Sequence, residues 1–387
     1  MKNCAIICEY NPFHNGHKYQ IDYLKNNLGF NFVIIVMSGH FSQRATPSLL
    51  DKYTRTMMID GADLVCQIPT AYAINNGEVF ATAGVKIINS LGIKYICFGV
   101  ETLNEKLFDD LAQKMLNESE NYKKNLKEEL SKGLNFKTAN LISIEKSYGK
   151  EYSDLLSTPN NILALEYIKA IKKYGYDIKP ILIKRCNDYM STDTKSNIVS
   201  ATQIRETLFK NNDIYGFMPE KSYNILKNNF NKNYTLNFKN LVYISMLNID
   251  KERLKNTYNV NEGIENRIIS ATQKSKNYDE LINNIVTKRY DKNKINRIIL
   301  CYLLGITKDV IKNLYNNEPD YIKVLYLNKK ILSEIDTSKI ILRKNDINPY
   351  IENNILEQIE NKANIFANYI YDKDLLVNDI FIKPVIK

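Results

Sequence analysis

Short apolar runs and longer helically spaced stretches alternate through the first two hundred residues. The runs at 5–8, 32–37, 64–68, 95–98 and 181–183 are short and β-rich. Between them, residues 17–26, 48–60, 77–91, 107–131 and 161–173 repeat apolar positions three and four apart. Short buried strands alternating with helices predict an α/β fold with a parallel, Rossmann-like sheet. Such sheets bind ligands beyond the carboxyl ends of their strands. Four polar clusters fall at those ends: 11–17, Ser38-Gly39-His40, Gly99-Val100-Glu101 and Lys184-Arg185. After Asn229 the pattern changes. Residues 229–234 are Asn-rich and predict a linker, and helical spacing then dominates at 238–248, 263–273, 278–286 and 292–305. Residues 320–387 mix short strand and helix signals. The expected organisation is an α/β domain over 1–228 and a mainly helical domain over 235–387.

Composition adds a partner class. The formal net charge is +10 with a sequence pI near 9.0, which suits a polyanion. No apolar run reaches membrane-spanning length, and Glu9 and Asn11 interrupt the apolar core that a secretory signal needs. The six cysteines (Cys4, Cys8, Cys66, Cys97, Cys186 and Cys301) are scattered, mostly in apolar runs. They read as reduced core residues, not a disulfide or metal framework. A cytoplasmic protein with no membrane and no DNA partner is expected.

All three histidines fall within the first forty residues, and two of them end a strand–turn–helix: Ile7-Cys8-Glu9-Tyr10-Asn11-Pro12-Phe13-His14-Asn15-Gly16-His17-Lys18-Tyr19-Gln20. A strand feeding a helix N-terminus offers free N–H groups and a positive dipole end to an anion. Two imidazoles across the turn reach two oxygens of one polyphosphate, and Gly16 admits close backbone approach. Two simpler readings are a pair of surface histidines on a helix cap and a zinc pair. No Cys or carboxylate cluster completes a tetrahedral site for the latter. A second phosphate candidate is Ser200-Ala201-Thr202-Gln203-Ile204-Arg205, where Ser200 caps a helix and Arg205 follows one turn later. Alone it reads as an ordinary capped helix; beside the His-x-Gly-His it reads as the other half of a phosphate site.

These two motifs are the signature of the nucleotidyltransferase-like group that includes class I aminoacyl-tRNA synthetases. The resemblance is closer to one family. The run from Glu9 to His17 resembles the bacterial tRNA(Met) cytidine acetate ligase family, as do Met37-Ser38-Gly39-His40-Phe41-Ser42-Gln43-Arg44 and Asp51-Lys52-Tyr53-Thr54-Arg55. Gly61-Ala62-Asp63-Leu64-Val65, Phe98-Gly99-Val100-Glu101, Pro159-Asn160-Asn161-Ile162-Leu163 and Thr287-Lys288-Arg289-Tyr290 follow in the family's order. The resemblance implies a nucleotidyltransferase domain that joins acetate to N4 of the wobble cytidine of elongator tRNA(Met) at the expense of ATP. It also implies ATP contacts at Ile7 to Gln20, Gly99, one of Asn160 and Asn161, and Arg185.

The residues suit that chemistry. Attack of acetate on the α-phosphate gives acetyl-adenylate and pyrophosphate, which requires positioning and charge stabilisation without a protein nucleophile. His14 and His17 are expected to donate to phosphate oxygens, with Ser200, Thr202 and Arg205 on the departing pyrophosphate and Gly99 beneath the adenosine. Mg²⁺ is expected with ATP, held mostly by phosphates. For tRNA, the candidates are Lys288, Arg289, Tyr290, Lys294 and Arg297 on and before a helix, with Tyr290 for base stacking. A solvated basic helix face is the simpler alternative. Arg44, Lys52 and Arg55 add charge near the crevice. The chain departs from the family's usual pattern at Ala45 (Gly), His40 (Asn), Gln67 (an acid), and at Asn293 and Asn296 in the basic helix. A small-molecule nucleotidyltransferase acting on a phosphorylated metabolite, and a non-catalytic tRNA-binding protein, are the competing readings.

Overall fold

The computed structural model describes residues 2–185, 198–261, 263–342, 354–375 and 382–387. Strands β1 (Asn3–Cys8), β2 (Phe32–Ser38), β3 (Leu64–Ile68), β4 (Tyr95–Val100) and β5 (Lys179–Lys184) run parallel in the order β5-β4-β1-β2-β3. All five expected strands are present. Every residue of β2 is buried, as a central strand covered on both faces requires. Helix Gly77–Ser90 presses so closely on β1 that a Cβ at Gly84 would lie 2.5 Å from Ile7 Cδ1. From β1 the chain winds outward through β2 and β3, then returns to place β4 and β5 on the other side. The crevice between β1 and β4 is therefore a topological switch point, where open α/β sheets take their ligands.

Several helices differ from expectation for local reasons. The expected helix over 48–60 begins only at Lys52. Asp51 caps it, and the residues before it are drawn into other bonds: Leu49 N–H to Asn11 Oδ1 at 2.7 Å and Ser48 N–H to His40 O at 2.9 Å. The stretch 107–131 is two helices, Glu105–Leu116 and Glu120–Ser131, the second capped by Ser119. Helices Phe136–Tyr148 and Lys150–Leu155 were not expected; they meet at Gly149, whose φ of 115° breaks the run. Residues 229–234 form the short turn between helices Glu220–Asn229 and Tyr234–Met246, with Phe230 lodged against Phe209 and Tyr234.

The division at 228 and 235 does not separate sheet from helices. Strand β6 (Ile322–Leu327) pairs antiparallel with β3, and β7 (Ile340–Ile341) and β8 (Val385–Ile386) pair with β6. Pairing between such distant parts of the chain leaves no local signature, which is why the stretch read as mixed. Helices between Tyr234 and Asn316 form the helical part. Helix Ile355–Tyr371 then packs on helix Tyr234–Met246 and returns to the carboxyl edge of the sheet. There the Tyr371 hydroxyl lies 3.1 Å from His40 O and 2.9 Å from Ser48 O, and Lys373 Nζ donates to Asp51 Oδ2 at 2.5 Å. Among the described residues no helix is long and apolar enough to cross a membrane.

Candidate active site

The turn after β1 sets two histidines at the first turn of helix Asn15–Asp22. His14 is its N-cap: Nδ1 accepts from Gly16 N–H at 3.1 Å, while His17 Nδ1 accepts from His14 N–H at 3.3 Å. With both Nδ1 atoms accepting, the neutral rings carry their protons on Nε2, free to donate outward. The rings stack with centroids 3.6 Å apart. Burial, and secondarily the Arg185 guanidinium, push the His14 pKa down to about 4. His17 keeps some surface toward the crevice, yet burial, then His14 and Arg185, also hold it well below the usual histidine range. At neutral pH both are uncharged donors. The positive charge comes from arginine and the helix end.

A cavity of about 100 Å³ lies between this turn and β4, lined by His14, Gly16, His17, Tyr19, Gln20, Gly99, Arg185 and Ser200, with Ile183, Lys184, Ile198 and Val199. Lys184 belongs to the Lys184-Arg185 cluster expected at the end of β5, while Ile183, Ile198 and Val199 are apolar neighbours of predicted positions. The volume fits a phosphate group better than a whole nucleotide. Arg185 lies across Gly99, where a Cβ would meet its Cγ at 2.9 Å. The second motif joins the first as expected: Ser200 Oγ caps helix Ala201–Phe209 at Gln203 N–H, 3.2 Å. Arg205 donates to Thr202 Oγ1 at 3.0 Å and to the carbonyl of Asn11.

Other expected ATP residues serve the frame. Ile7, Tyr10 and Phe13 belong to the core, Cys8 packs against it, and Pro12 is buried. Asn15 donates to Gly216 O at 2.7 Å, and Lys18 pairs with Asp22 and Asp60 at 2.5 and 3.5 Å. Asn160 and Asn161 both act on the loop after β4. Asn161 is buried, its Oδ1 accepting from Glu101 N–H at 2.9 Å, and Asn160 donates to the Glu101 carboxylate. That carboxylate lies 3.8 Å from Arg185 Nε. Both asparagines thus reach the crevice through Glu101 and Arg185.

The basic candidates divide sharply. Arg55 is fully buried and donates to the carbonyls of Glu9, Ser38, Gly39 and Leu50. Lys52 is equally buried, 3.7 Å from Glu360 Oε2. Neither has surface to offer an RNA. Tyr290 is 7% exposed, its hydroxyl donates to Asn261 O at 3.1 Å and Lys294 Nζ covers its ring at 4.3 Å, so it cannot stack on a base. Arg297 reaches the crevice loop, its Nε donating to Gln43 O at 3.0 Å. Arg44, Lys288 and Arg289 are exposed.

The departures from the family pattern also find places. His40 is fully buried; Nδ1 accepts from Lys52 N–H at 3.4 Å, leaving Nε2–H to donate to Asn364 Oδ1 at 2.9 Å. Gln67 Nε2 donates to Glu360 Oε2 at 2.6 Å, and Thr70 Oγ1 to the same oxygen at 3.0 Å. An acid at 67 would face Glu360, and the amide removes that repulsion. Ala45 is buried with φ of 54°, a left-handed turn position that favours glycine. Asn296 is buried and accepts from the Tyr278 hydroxyl at 3.0 Å.

Residues 1–379 match the HIGH Nucleotidyl Transferase family. A tRNA(Met) cytidine acetate ligase of Clostridium perfringens is 36% identical over the whole of both chains. That of Acetivibrio thermocellus is 38% identical over 355 residues, 87% of this chain and 86% of its own. The crystal structure of Thermotoga maritima TmcAL bound with alpha-thio ATP superposes with a TM-score of 0.87, at 24% identity, over 100% of this chain and 99% of its own. The chain belongs to the tRNA(Met) cytidine acetate ligase family, within the HIGH nucleotidyl transferases.

Proposed function

We propose that this member of the tRNA(Met) cytidine acetate ligase family activates acetate with ATP and transfers the acetyl group to N4 of the wobble cytidine of elongator tRNA(Met). One observation carries the reading. Two neutral histidines present Nε2–H donors at a helix N-terminus, and Arg205 is tied to the same turn through Asn11 O. Charge developing on the phosphates during attack meets donors already in place. An acetate oxygen bonds to the α-phosphorus of ATP, and pyrophosphate leaves with the electrons of the broken P–O bond. Cytosine N4 then attacks the acetyl carbonyl, AMP departs, and the nitrogen loses a proton. His14 and His17 serve the α-phosphate, and Ser200 and Arg205 the pyrophosphate. Arg185 must swing off Gly99 for the adenosine to lie there.

Among the described residues no group of three His, Cys, Asp or Glu side chains converges to hold a metal. Mg²⁺ entering with ATP therefore fits as a phosphate-bound ion, neutralising charge on the polyphosphate. Arg44, Lys288 and Arg289 are the exposed cations assigned to tRNA phosphates, and the reaction places the protein in the cytoplasm with tRNA. The test is labelled acetate, ATP and unmodified tRNA(Met), with nucleoside mass spectrometry of the product. N4-acetylcytidine at the wobble position is expected. Nucleotidyl transfer to a phosphorylated metabolite, with no label on tRNA, would overturn the assignment.

A further inference from the structure

The cavity between the histidine turn and β4 holds about 100 Å³, less than a nucleotide needs, so part of its lining must give way. Most of that lining is tied down. His14 and His17 bond within the helix cap, Gln20 Nε2 reaches Cys97 O at 3.4 Å, and Ser200 Oγ caps the next helix. Arg185 differs. Its backbone N–H is anchored to Val100 O at 2.8 Å, but its side chain lies over Gly99. There its Nε is shielded from solvent and has no hydrogen-bond partner among the described residues. An unmet buried donor costs free energy, so this is a position the side chain can leave at a gain.

One carboxylate can receive it. Glu101 Oε1 lies 3.8 Å from Arg185 Nε, near enough for an ion pair and too far for a hydrogen bond. Glu101 is itself held in place. Thr158 Oγ1 donates to its Oε2 at 2.8 Å, and Asn160 Nδ2 donates to its Oε1. Asn161, 1% exposed, holds the backbone beneath: its Oδ1 accepts from Glu101 N–H at 2.9 Å and from Thr102 N–H at 3.4 Å. The start of helix Pro159–Tyr174, with its N-cap Thr158, thus fixes one carboxylate. That carboxylate keeps lone pairs for a guanidinium, and Arg185 is the cation paired with it.

Building on the reading of this cavity as the ATP site, we propose that Glu101 is a positioning residue for Arg185. As the nucleotide enters, the guanidinium leaves Gly99 and closes the remaining gap to Glu101, gaining the bond its Nε–H lacks. Gly99 is then bare for the adenosine. With one edge of the planar guanidinium on Glu101, the other edge is left for phosphate oxygens. Glu101 acts through Arg185 and does not touch the nucleotide.

The test measures binding of a non-hydrolysable ATP analogue to the full chain, to Glu101→Gln, to Arg185→Ala and to the double variant. Glu101→Gln keeps the side chain's size, and the Thr158 hydroxyl can reverse to accept from its amide. Loss of the charged pair lowers analogue affinity by about 10-fold. In pyrophosphate exchange the ATP KM rises to match, while kcat and the acetate KM hold. In the Arg185→Ala background Glu101→Gln costs nothing further, because its partner is gone. Unchanged affinity in a folded Glu101→Gln overturns the proposal. If that variant does not fold, Asn160→Ala, which loosens the same carboxylate, decides in its place, with a loss of about 3-fold expected. Additive losses in the double variant would set Glu101 on the nucleotide itself and also overturn the proposal. Failure of the unaltered protein to bind the analogue would instead remove the ATP reading, before any variant is compared.

Discussion

Two basic stretches look alike in sequence and differ completely in the folded chain. Lys52 and Arg55 have no exposed surface, whereas Lys288 and Arg289 stand in solvent. The difference lies in what surrounds each. At the carboxyl ends of β1 and β2, the buried carbonyls of Glu9, Ser38 and Gly39 need a donor. The guanidinium fork of Arg55 meets them together with Leu50 O. Lys288 lies in an exposed turn before helix Lys292–Leu304, where water can serve the backbone instead. A cation's position in sequence near a crevice therefore does not decide whether it faces the ligand or builds the wall.

The greatest effect follows directly from that contrast. Arg55→Ala orphans buried carbonyls in the crevice wall and is expected to cost more than about 4 kcal/mol, read from denaturant unfolding. A loss below about 1 kcal/mol would return Arg55 to the solvent-facing class. Next is Gln67→Glu, which puts a second carboxylate beside Glu360. It is expected to cost about 2 kcal/mol at neutral pH. Such a pair takes up a proton with raised pKa in the folded state, so the deficit grows as pH rises and shrinks on acidification. The double variant Gln67→Glu/Glu360→Gln restores one amide facing one acid and is expected to recover most of the loss. On the exposed stretch, Lys288→Ala leaves unfolding unchanged, and Lys288→Ala and Arg289→Ala both remove a cation from the face assigned to tRNA. Each is expected to weaken tRNA binding several-fold and to make the salt dependence shallower, by about 1 in slope for each phosphate no longer neutralised. Smallest is Ala45→Gly, which relieves a left-handed alanine and is expected to raise stability by at most about 1 kcal/mol in the same assay.

What could be read from the sequence was whatever depends on local pattern. The five parallel strands, the His-x-Gly-His turn and the Ser200 cap all rest on periodicity or capping chemistry between near neighbours in the chain. What escaped it depends on distant pairing. The return of β6 to β3, the reach of Glu360 to Gln67 and Thr70, and the grip of Arg297 on Gln43 each join opposite ends of the chain. Tyr290 shows the same limit from the other side: its aromatic-among-basic setting suggested stacking on a base, but burial decided its role. Cys186 lies outside the described residues.

Acetyl-adenylate formation is tested most directly by pyrophosphate–ATP exchange, with and without acetate, in the unaltered protein and in His14→Ala and His17→Ala. Exchange that requires acetate and falls about 10²- to 10³-fold in each variant is expected from the loss of a preorganised donor. Because both histidines are held neutral by burial, with the His14 pKa at about 4, no histidine limb should appear between about pH 6 and 8. Since their folded pKa values lie below the unfolded value, the stability they contribute is complete above about pH 6.5 and drains as pH falls toward 4. Exchange that ignores acetate, or that survives both substitutions, would contradict acetyl-adenylate formation at this turn.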